Sequence, residues 1–521
     1  MNMVRHQVLL LGSLFLHGFL LSEAEKILTI STVGGSHNLK MNVISQILHD
    51  HGHQVTSLLP EAKLLPEEEK SYQVIQWNLP EDHEKELSRN FQVYIQEALN
   101  GREKFYSFLK LFEHFGTVCS YLLGRRDIID SLRSEDFDLL LLDSTDLCTF
   151  LIAEKLGKPF VSFLPMVFSL MDFGLPTPLS YVPIYHSGLT DQMDFWGRVK
   201  NFLMFFDFSM KQRKIYSQYD NTIQEHFAEG SRPGLSDLLQ KAELWFVNSD
   251  FALDFARPLL PNTIYVGGLL AQSIKPIPQD LENFIAKFGD SGFVLVAQGS
   301  AISYFQTKEI IKEMNNAFAH LPQGVIWKFE ASHWPNDIKL AANVKIMDWL
   351  PQNDLLAHPN IRLFVTHGGI GSVAEAIQHG VPIVGIAVNA DQLDNMVRVE
   401  AKKFGISIQA QNVKEETLAL KMKQVIEDKR YKAAAMAARV IRLSHPLTPA
   451  QRLVGWIDHI LQTGGAAHLK PYAFQQPWHE QYLLDVILFL LGLTLGTLWL
   501  CGKVLGTVTR WLRGAKKVKK S

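Results

Sequence analysis

The sequence predicts an α/β protein with two doubly wound domains that face each other across a cleft, followed by a single transmembrane helix. Between Ala24 and Leu483, short apolar runs alternate with helical patterns, which is typical of βαβ units and parallel sheets. The chain has 521 residues, more than one hydrophobic core usually serves. The apolar run Leu483–Leu505 is long enough to cross a bilayer.

The N-terminus has the features of a secretory signal peptide. Arg5 precedes the apolar run Val8–Leu21, which is too short to span a membrane, and Ser22 and Ala24 are small residues that fit a cleavage site after Ala24. We therefore expect residues 1–24 to be removed. A buried first helix is the alternative, but this segment precedes the first clear strand.

Two groups of strands are expected, one in a domain at 25–270 and one in a domain at 291–445. They are separated by a linker at 271–290, whose first part contains two prolines and has no periodicity. Ligands of open parallel sheets lie beyond the C-terminal ends of the strands, so the residues after each strand are candidates for a site. The predicted strands are Lys26–Ser31, Gln54–Leu59, Asp138–Asp143, Pro159–Phe163, Leu244–Asn248 and Ile264–Gly267, then Phe293–Gln298, Val325–Phe329, Val344–Met347, Arg362–Val365 and Pro382–Ile386.

A basic tail at 506–521 follows the predicted span at 483–505. Because basic residues beside a span stay cytoplasmic, we expect a single-pass type I protein with a lumenal body and a cytosolic tail. Lys517 and Lys519 stand at the positions of a dilysine retrieval signal, which predicts the endoplasmic reticulum membrane. Simple positive-inside anchoring is the alternative explanation of the tail.

Composition excludes several classes of function. The 51 basic and 53 acidic residues nearly cancel, which argues against a nucleic-acid partner. Three cysteines cannot build a disulfide framework or a zinc site, although a single bridge between Cys119 and Cys148 is possible. The histidines at 49, 51 and 53 could suggest a metal, but they sit at a helix end that leads into a strand, and we expect no metal.

The segment from Trp349 to Asn395 offers the four contacts that a nucleotide-sugar needs. Trp349 supplies an aromatic face for a base, and Thr366–Gly369 follows an apolar strand and opens a helix. Glycines and free N–H groups at a helix N-terminus suit a diphosphate. Glu375 is suited to ribose hydroxyls, and Asp391 with Gln392 is suited to a sugar ring. An ordinary strand-to-helix turn is the alternative for the glycine run alone.

This segment resembles the donor signature of the UDP-glycosyltransferases, and the resemblance extends over essentially the whole chain. It is strongest to the vertebrate family-3 (3A) members, through residues 451–486 and the hydrophobic tail. The family has the GT-B fold of two Rossmann-like domains, with helices at 446–482 that cross back to the first. The resemblance implies UDP-sugar contacts for these residues: Ser300, Trp349, Gln352, His367, Gly369, Ser372, Glu375, Asn389, Asp391 and Gln392.

The same resemblance implies that His37 is the catalytic base and Asp143 its orienting partner. His37 follows the first strand, and Asp143 ends the strand at Asp138–Asp143. A histidine after a strand is more often a turn residue, and a strand-end aspartate is more often a helix N-cap, for which Asp146 competes. The base would take the acceptor proton while UDP leaves, in an inverting transfer that requires no metal.

Two residues depart from the family pattern. Gly371 stands where an asparagine is common, so a side-chain amide near the phosphates is lost. Asn389 stands where relatives that use UDP-glucuronic acid carry an aromatic residue, and its amide offers both a donor and an acceptor. An N-acetyl group needs both, so we expect UDP-N-acetylglucosamine as donor, with glucose or xylose next. Glucuronate is less expected because no basic residue is evident near the sugar.

The acceptor is expected to be a hydroxyl of a small lipophilic compound such as a steroid, bile acid or xenobiotic. A glycolipid (ceramide-type) transferase and a non-catalytic lipid or nucleotide-sugar binding protein are the alternatives. The aromatic stretch Phe195–Phe208 is either a segment lying in the membrane interface or a core helix that lines the acceptor pocket. Self-association, or association with related transferases, is possible.

Overall fold

The computed structural model describes residues 24–61, 70–102, 104–166, 173–270, 274–299 and 306–518. The predicted signal peptide lies almost entirely outside these residues. Residues 468–518 form a unit separate from the preceding chain and are described by themselves. The preceding unit contains two parallel β-sheets with helices on both faces, as the alternation of strands and helices predicts.

The first sheet has seven strands in the order β3-β2-β1-β4-β5-β6-β7. Its neighbours pair in parallel throughout. The central strand β4 has the sequence LLLLD and is buried at every position, because helices cover both of its faces. The strands are β1 (Lys26–Ile30), β2 (Gln54–Pro60), β3 (Gln73–Trp77), β4 (Leu139–Asp143), β5 (Phe160–Leu164), β6 (Trp245–Val247) and β7 (Thr263–Tyr265).

A disulfide bond joins two of the helices associated with the first sheet, α3 and α5. Cys119 on α3 is bridged to Cys148 at the start of α5, with their Cα atoms 5.3 Å apart. The possible bridge is therefore present. The helices are α1 (Ser36–Asp50), α2 (Glu81–Leu99), α3 (Phe105–Gly124), α4 (Arg126–Ser134), α5 (Cys148–Leu156), α6 (Phe195–Tyr216), α7 (Asp220–His226) and α8 (Leu235–Lys241).

The second sheet has six strands in the order β10-β9-β8-β11-β12-β13. All of its pairings are parallel. The strands are β8 (Phe293–Ala297), β9 (Gly324–Lys328), β10 (Val344–Met347), β11 (Ile361–Thr366), β12 (Ile383–Ala387) and β13 (Gly405–Gln409). The helices are α9 (Gln279–Ala286), α10 (Lys308–Ala319), α11 (Gln352–Ala357), α12 (Ile370–His379), α13 (Gln392–Ala401), α14 (Glu415–Glu427), α15 (Lys429–Leu443) and α16 (Pro449–Thr463).

In each sheet the strand order reverses at one point, between β1 and β4 in the first and between β8 and β11 in the second. Such a switch point opens a crevice at the C-terminal ends of the strands, where ligands of open α/β sheets bind. The sequence did not predict β3 or β13. Each pairs on one side only, and polar residues interrupt their apolar pattern.

Helix α16 returns from the second sheet to the first half of the chain. Its Asp458 carboxylate accepts hydrogen bonds from His51 Nε2 at 3.0 Å and from His53 Nε2 at 3.1 Å. A capping box at Thr448 and Gln451 fixes the start of this helix. Two of the histidines that the sequence singled out thus contact a carboxylate more than 400 residues further along the chain.

The separate unit at 468–518 contains α17 (Trp478–Gln481) and the long helix α18 (Leu484–Val518). Within α18, the segment Leu484–Arg513 contains an 18-residue window with a mean hydropathy of 2.1, and that window is not buried. Among the described residues it is the one helix long and apolar enough to cross a membrane. It begins one residue after the predicted start of the span.

Candidate active site

His37 and Asp143 meet at the switch point of the first sheet. His37 lies in the first turn of α1, after β1, and Asp143 is the last residue of the neighbouring strand β4. The Nδ1 atom of His37 lies 3.0 Å from Oδ2 of Asp143. A carboxylate in this position fixes the imidazole tautomer with its proton on Nδ1, so that Nε2 is the free acceptor. Among the described residues, none hydrogen-bonds Nε2.

The Asp143 carboxylate is buried and held from several sides. The Ser31 hydroxyl donates to Oδ2 at 3.0 Å, and the Thr145 backbone N–H donates to Oδ1 at 3.0 Å. Burial opposes ionisation, but the charge and hydrogen bond of His37, together with Thr145, outweigh it and lower the pKa of Asp143. The group is therefore an anion at neutral pH, suited to stabilising an imidazolium beside it.

Asp146, the competing aspartate, has a different role. Its Oδ1 accepts from the Cys148 backbone N–H at 3.1 Å and from the Tyr219 hydroxyl at 2.5 Å, while Oδ2 accepts from the Thr32 hydroxyl. It is fully engaged in joining the start of α5 to the interior. The structure thus separates the two aspartates: Asp143 contacts the histidine, and Asp146 anchors the loop and the following helix.

At the switch point of the second sheet, His367 is packed between two glycines. A Cβ atom at Gly299, whose φ is +76°, would lie 2.8 Å from the imidazole. A Cβ atom at Gly369 would lie 2.5 Å from its Nε2. Glycine is therefore sterically required at both positions because the histidine fills the space. Ser300, the further predicted phosphate contact, lies outside the described residues.

The imidazole of His367 is neutral in the free protein. Burial lowers the pKa of His367 to about 4, and the positive charges of Lys328 and Lys40 lower it further, against a hydrogen bond with the backbone at Ala297. At neutral pH this side chain can donate a hydrogen bond to a phosphoryl oxygen but contributes no charge. Charge complementarity to a diphosphate must come from other groups.

Three residues predicted to contact the nucleotide form one cluster. Gln352, the first residue of α11, donates from Nε2 to Glu375 Oε2 at 2.7 Å and lies 3.4 Å from the Ser372 hydroxyl. Burial raises the pKa of Glu375 to about 7, and the hydrogen bond from Gln352 only partly opposes this. The carboxyl group is therefore partly protonated at neutral pH, and ribose hydroxyls would supply the donors that favour its anion.

The predicted sugar-binding residues close a tight turn between β12 and α13. Gln392 Nε2 donates to Asn389 Oδ1 at 2.8 Å, and Gln392 Oε1 accepts from the backbone N–H groups of Val388 and Asn389. The Asp391 carboxylate accepts from Asn395 Nδ2 at 2.7 Å. All four polar side chains are buried, so the turn is built before any ligand arrives.

Asn395 is a residue to which the sequence assigned no role. Its Nδ2 also donates to the Gly368 carbonyl at 3.0 Å. One buried amide thus joins the glycine turn after β11 to the turn between β12 and α13. Burial raises the pKa of Asp391, and the hydrogen bond from Asn395 and the charge of Lys40 oppose that shift. The helical spacing of 391 and 395 was the available signal, since residues four apart share one face of a helix.

Two lysines were also missed. Lys328 Nζ lies 4.3 Å from the ring centroid of the half-exposed Trp349, as a cation–π pair beside the predicted base. Lys40 lies one turn after His37 on α1, and its Nζ donates to the Pro165 carbonyl at 3.0 Å. Burial lowers the pKa of Lys40, and the carboxylates of Asp391 and Asp143 oppose this. Lys40, from the other half of the chain, is thus a basic residue near the predicted sugar residue Asp391 that the sequence did not indicate.

The two halves of the chain, each built on one sheet, touch directly at the turn between β12 and α13. The backbone N–H of His186 donates to Asp394 Oδ2 at 2.8 Å, and its Nε2 donates to the Ala390 carbonyl at 2.7 Å. Nearby, Arg398 Nε donates to Asp254 Oδ1 at 2.8 Å, in a buried ion pair between the halves. These contacts hold α13, and with it Asp391 and Gln392, against the domain that carries the candidate base.

Comparison with known proteins shows the family to which the chain belongs. A family model described as UDP-glucoronosyl and UDP-glucosyl transferase matches residues 25–520. The chain is 67% identical to human UDP-glucuronosyltransferase 3A2 and 68% identical to mouse UDP-glucuronosyltransferase 3A1, each over 100% of both chains. It is 34% identical to mouse 2-hydroxyacylsphingosine 1-beta-galactosyltransferase, over 88% of this chain and 83% of the relative.

Solved structures agree on the fold. The glycosyltransferase of kitacinnamycin matches with a TM-score of 0.57 and 16% identity, over 84% of this chain and 98% of that one. The glycosyltransferase VinC, in complex with DTDP, matches with a TM-score of 0.56 and 16% identity, over 84% and 100%. The architecture is GT-B with a C-terminal helix that fits a membrane anchor. The chain belongs to the UDP-glycosyltransferases and is a family-3 member, a glycosyltransferase enzyme that uses a UDP-sugar donor.

Proposed function

We propose that this enzyme transfers a sugar, with inversion, from a UDP-sugar to a hydroxyl group of small lipophilic acceptors such as steroids, bile acids or xenobiotics. The observation that carries this proposal is the 3.0 Å contact between His37 Nδ1 and Asp143 Oδ2 at the switch point. This contact leaves Nε2 to take the acceptor proton. A general base in this position is typical of transfer to a hydroxyl rather than of binding alone.

The chemical step conserves atoms and electrons. The acceptor oxygen forms a bond to the anomeric carbon as its proton passes to His37 Nε2, while the bond from that carbon to the β-phosphate oxygen breaks. UDP leaves with the electron pair of that bond. Asp143 stabilises the imidazolium that forms, and the neutral His367 donates a hydrogen bond to the diphosphate. No step requires a metal ion.

The donor sugar is proposed to be N-acetylglucosamine. Asn389 lies in the buried turn with Asp391 and Gln392, and an amide rather than an aromatic ring leaves room beside the sugar. Its Oδ1 already accepts from Gln392, so the Asn389 Nδ2 donor is the group offered to an acetyl carbonyl. Asn389 and Gln392 therefore act as a pair in sugar selection.

A second donor, UDP-glucuronic acid, is favoured by a specific observation. Lys40 lies near Asp391 and would pair with a sugar carboxylate, and relatives at 67% identity carry the name UDP-glucuronosyltransferase. For the acceptor, the relative named 2-hydroxyacylsphingosine 1-beta-galactosyltransferase supports a ceramide-type acceptor as the less favoured alternative. Both alternatives are included in the experiment below.

The experiment measures UDP release from a panel of UDP-sugars with sterol-like and ceramide acceptors. We expect the highest kcat/KM with UDP-N-acetylglucosamine and a sterol-like acceptor. Asn389→Phe should shift the preference towards UDP-glucose, and an unchanged donor ranking would contradict the assignment of Asn389. Lys40→Met is the matched variant: selective loss of glucuronate use would support the second donor, and unchanged activity with every donor would exclude Lys40 as the partner of a sugar carboxylate.

For location, we propose the endoplasmic reticulum membrane with a lumenal body and cytosolic tail. The disulfide between Cys119 and Cys148 supports a lumenal body, because disulfides persist in oxidising compartments. Protease treatment of intact microsomes tests the orientation. We expect loss of an epitope placed after the span and protection of the rest of the chain.

A further inference from the structure

Helix α6 carries an apolar face that no described residue covers. Six large apolar side chains on this helix are at least half exposed, and Trp196 is 72% exposed. At 100° per residue, they fall on a single side of the helix. These residues, which we name the α6 face, are Phe195, Trp196, Phe202, Leu203, Phe206 and Met210.

The opposite side of α6 is held inward by a polar residue. Asn201 is fully buried, its Oδ1 accepts from the Ile184 N–H at 2.7 Å, and its Nδ2 donates to two carbonyls, those of Leu179 and Val182. Because an unmade buried hydrogen bond is costly, this amide fixes the rotation of the helix. The α6 face therefore cannot turn inward without breaking three hydrogen bonds. An ordinary surface helix packs its apolar side against the core, whereas α6 exposes its apolar side.

The C-terminal end of α6 matches an anionic lipid surface in charge. Asp194 caps the N-terminus through the Gly197 N–H, and the last turn carries Arg213 and Lys214. Lys211 lies one turn before the end, pairs with Asp207 of the same helix and lies 5.5 Å from the ring centroid of Phe105. Aromatic and aliphatic residues on one face with basic residues beside them are typical of helices that lie in the headgroup region of a bilayer.

A cavity of about 220 Å³ lies beside α6, between this helix and the start of α3. Its walls include Phe105, Phe108, Met204 and Phe208, and His186 lies at its edge. His186 is the residue whose Nε2 donates to the Ala390 carbonyl, next to Asp391. The cavity is thus lined by residues of α6 outside the α6 face, and it adjoins a loop that touches the turn between β12 and α13.

We propose that α6 is a second membrane contact, lying in the plane of the bilayer interface with the α6 face among the acyl chains. The chain also carries a C-terminal helix that fits a membrane anchor, so a bilayer is available to the protein as it exists. Because the apolar face is flanked by lysine and arginine, an anionic lipid surface fits it better than a second copy of the same face, whose like charges would meet.

Depth measurements on the full chain in lipid vesicles test this proposal. Cys501→Ser removes the free thiol, and Cys119 and Cys148 are bridged, so a single introduced cysteine can carry an environment-sensitive fluorophore. Phe206→Cys reports on the α6 face, and Leu420→Cys, at another exposed apolar position on α14, is the matched control. We expect blue-shifted emission at 206, quenching by lipid-borne nitroxides and protection from iodide, with the reverse at 420.

Equal access of iodide to positions 206 and 420 would overturn the proposal. Protection at 206 that persists in detergent, together with a dimer by light scattering, would instead identify a second copy as the occupant and would also overturn it. Neither measurement uses catalysis, so failure here is distinct from failure of the proposed transfer reaction.

A kinetic consequence concerns lipophilic acceptors and rests on the proposed function. Phe202→Ser with Phe206→Ser should raise KM several-fold for an acceptor that partitions into the vesicles. It should leave kcat, and KM for a water-soluble acceptor, unchanged. Leu420→Ser is the control. An equal change for both acceptors would show a general structural effect. It would contradict the delivery of the lipophilic acceptor from the bilayer at the α6 face.

Discussion

The two halves of the site treat charge in opposite ways. In the first half, His37 and Asp143 form a buried pair in which the pKa of the carboxyl group is lowered, so charge is kept. In the second half, burial shifts the pKa of His367 downward and those of Glu375 and Asp391 upward, so each shift favours the neutral form. One half is prepared to move a proton, and in the other half burial shifts the ionisable groups towards their neutral, hydrogen-bonding forms.

The physical reason for the difference is the availability of a partner. Asp143 has an ionisable base within hydrogen-bond distance, whereas Glu375 has the neutral amide of Gln352 and Asp391 has the neutral amide of Asn395. Burial shifts the pKa of a group towards its neutral form unless an opposite charge compensates, and the charge of Lys40 only partly opposes the shift of Asp391. A diphosphate brings its own negative charge into the second half. There the positive charges of Lys328 and Lys40 act on His367 and lower its pKa.

The largest expected effect comes from removing the proton acceptor. His37→Ala should lower kcat by roughly 10²–10⁴-fold, because general base catalysis contributes that much, while UDP-sugar affinity stays unchanged. Steady-state UDP release and calorimetric binding measure the two quantities. Asp143→Asn is the companion variant and should lose activity through the same step. Turnover near that of the wild-type enzyme in His37→Ala would show that the base lies elsewhere.

The raised pKa of Glu375, in the second half of the site, predicts that donor binding depends on pH. The pKa of Glu375 is about 7 in the free protein, and ribose hydroxyls bind the anion better, so affinity should rise with pH. Between pH 6 and pH 8, the Kd of a UDP-sugar should fall by up to about 10-fold. A UDP-sugar is the correct probe, because its esterified diphosphate does not titrate in this range.

The matched variants identify which carboxyl group is responsible. Glu375→Gln should abolish the pH dependence of Kd, whereas Asp391→Asn should retain it. If the dependence survives in Glu375→Gln, another group titrates and the comparison of the two halves must be revised.

The smallest effect concerns Gly371. Among the described residues, a Cβ at this position would meet only Leu270 Cδ1, at 3.8 Å, so a Cβ atom fits without strain. Gly371→Asn restores the amide common in the family and should tighten donor binding by about five-fold, the equivalent of one hydrogen bond of about 1 kcal/mol. Gly371→Ala is the control and should leave Kd unchanged. Weaker binding by both variants would show that the small space beside Gly371 is needed.

The helix at Phe195–Tyr216 is a case in which the sequence left two structural alternatives open. Its aromatic content predicted either a membrane-facing segment or a core helix. The burial of Asn201 and the exposure of Trp196 turn the apolar face outward, although Met204 and Phe208 still line a cavity. The composition was informative, but the rotation of the helix depends on hydrogen bonds to the loop at 179–184, which no local pattern encodes.

Local patterns determined the two parallel sheets and the apolar C-terminal helix, and the resemblance to the family supplied most of the individual residues expected at the site. Strand periodicity, glycines at switch points and an apolar run of membrane length are all short-range signals. Tertiary structure alone decided that Asp143 rather than Asp146 meets His37, that Cys119 pairs with Cys148, and that Lys40 lies near Asp391. Each of these depends on segments far apart in sequence, because burial and charge act through space rather than along the chain.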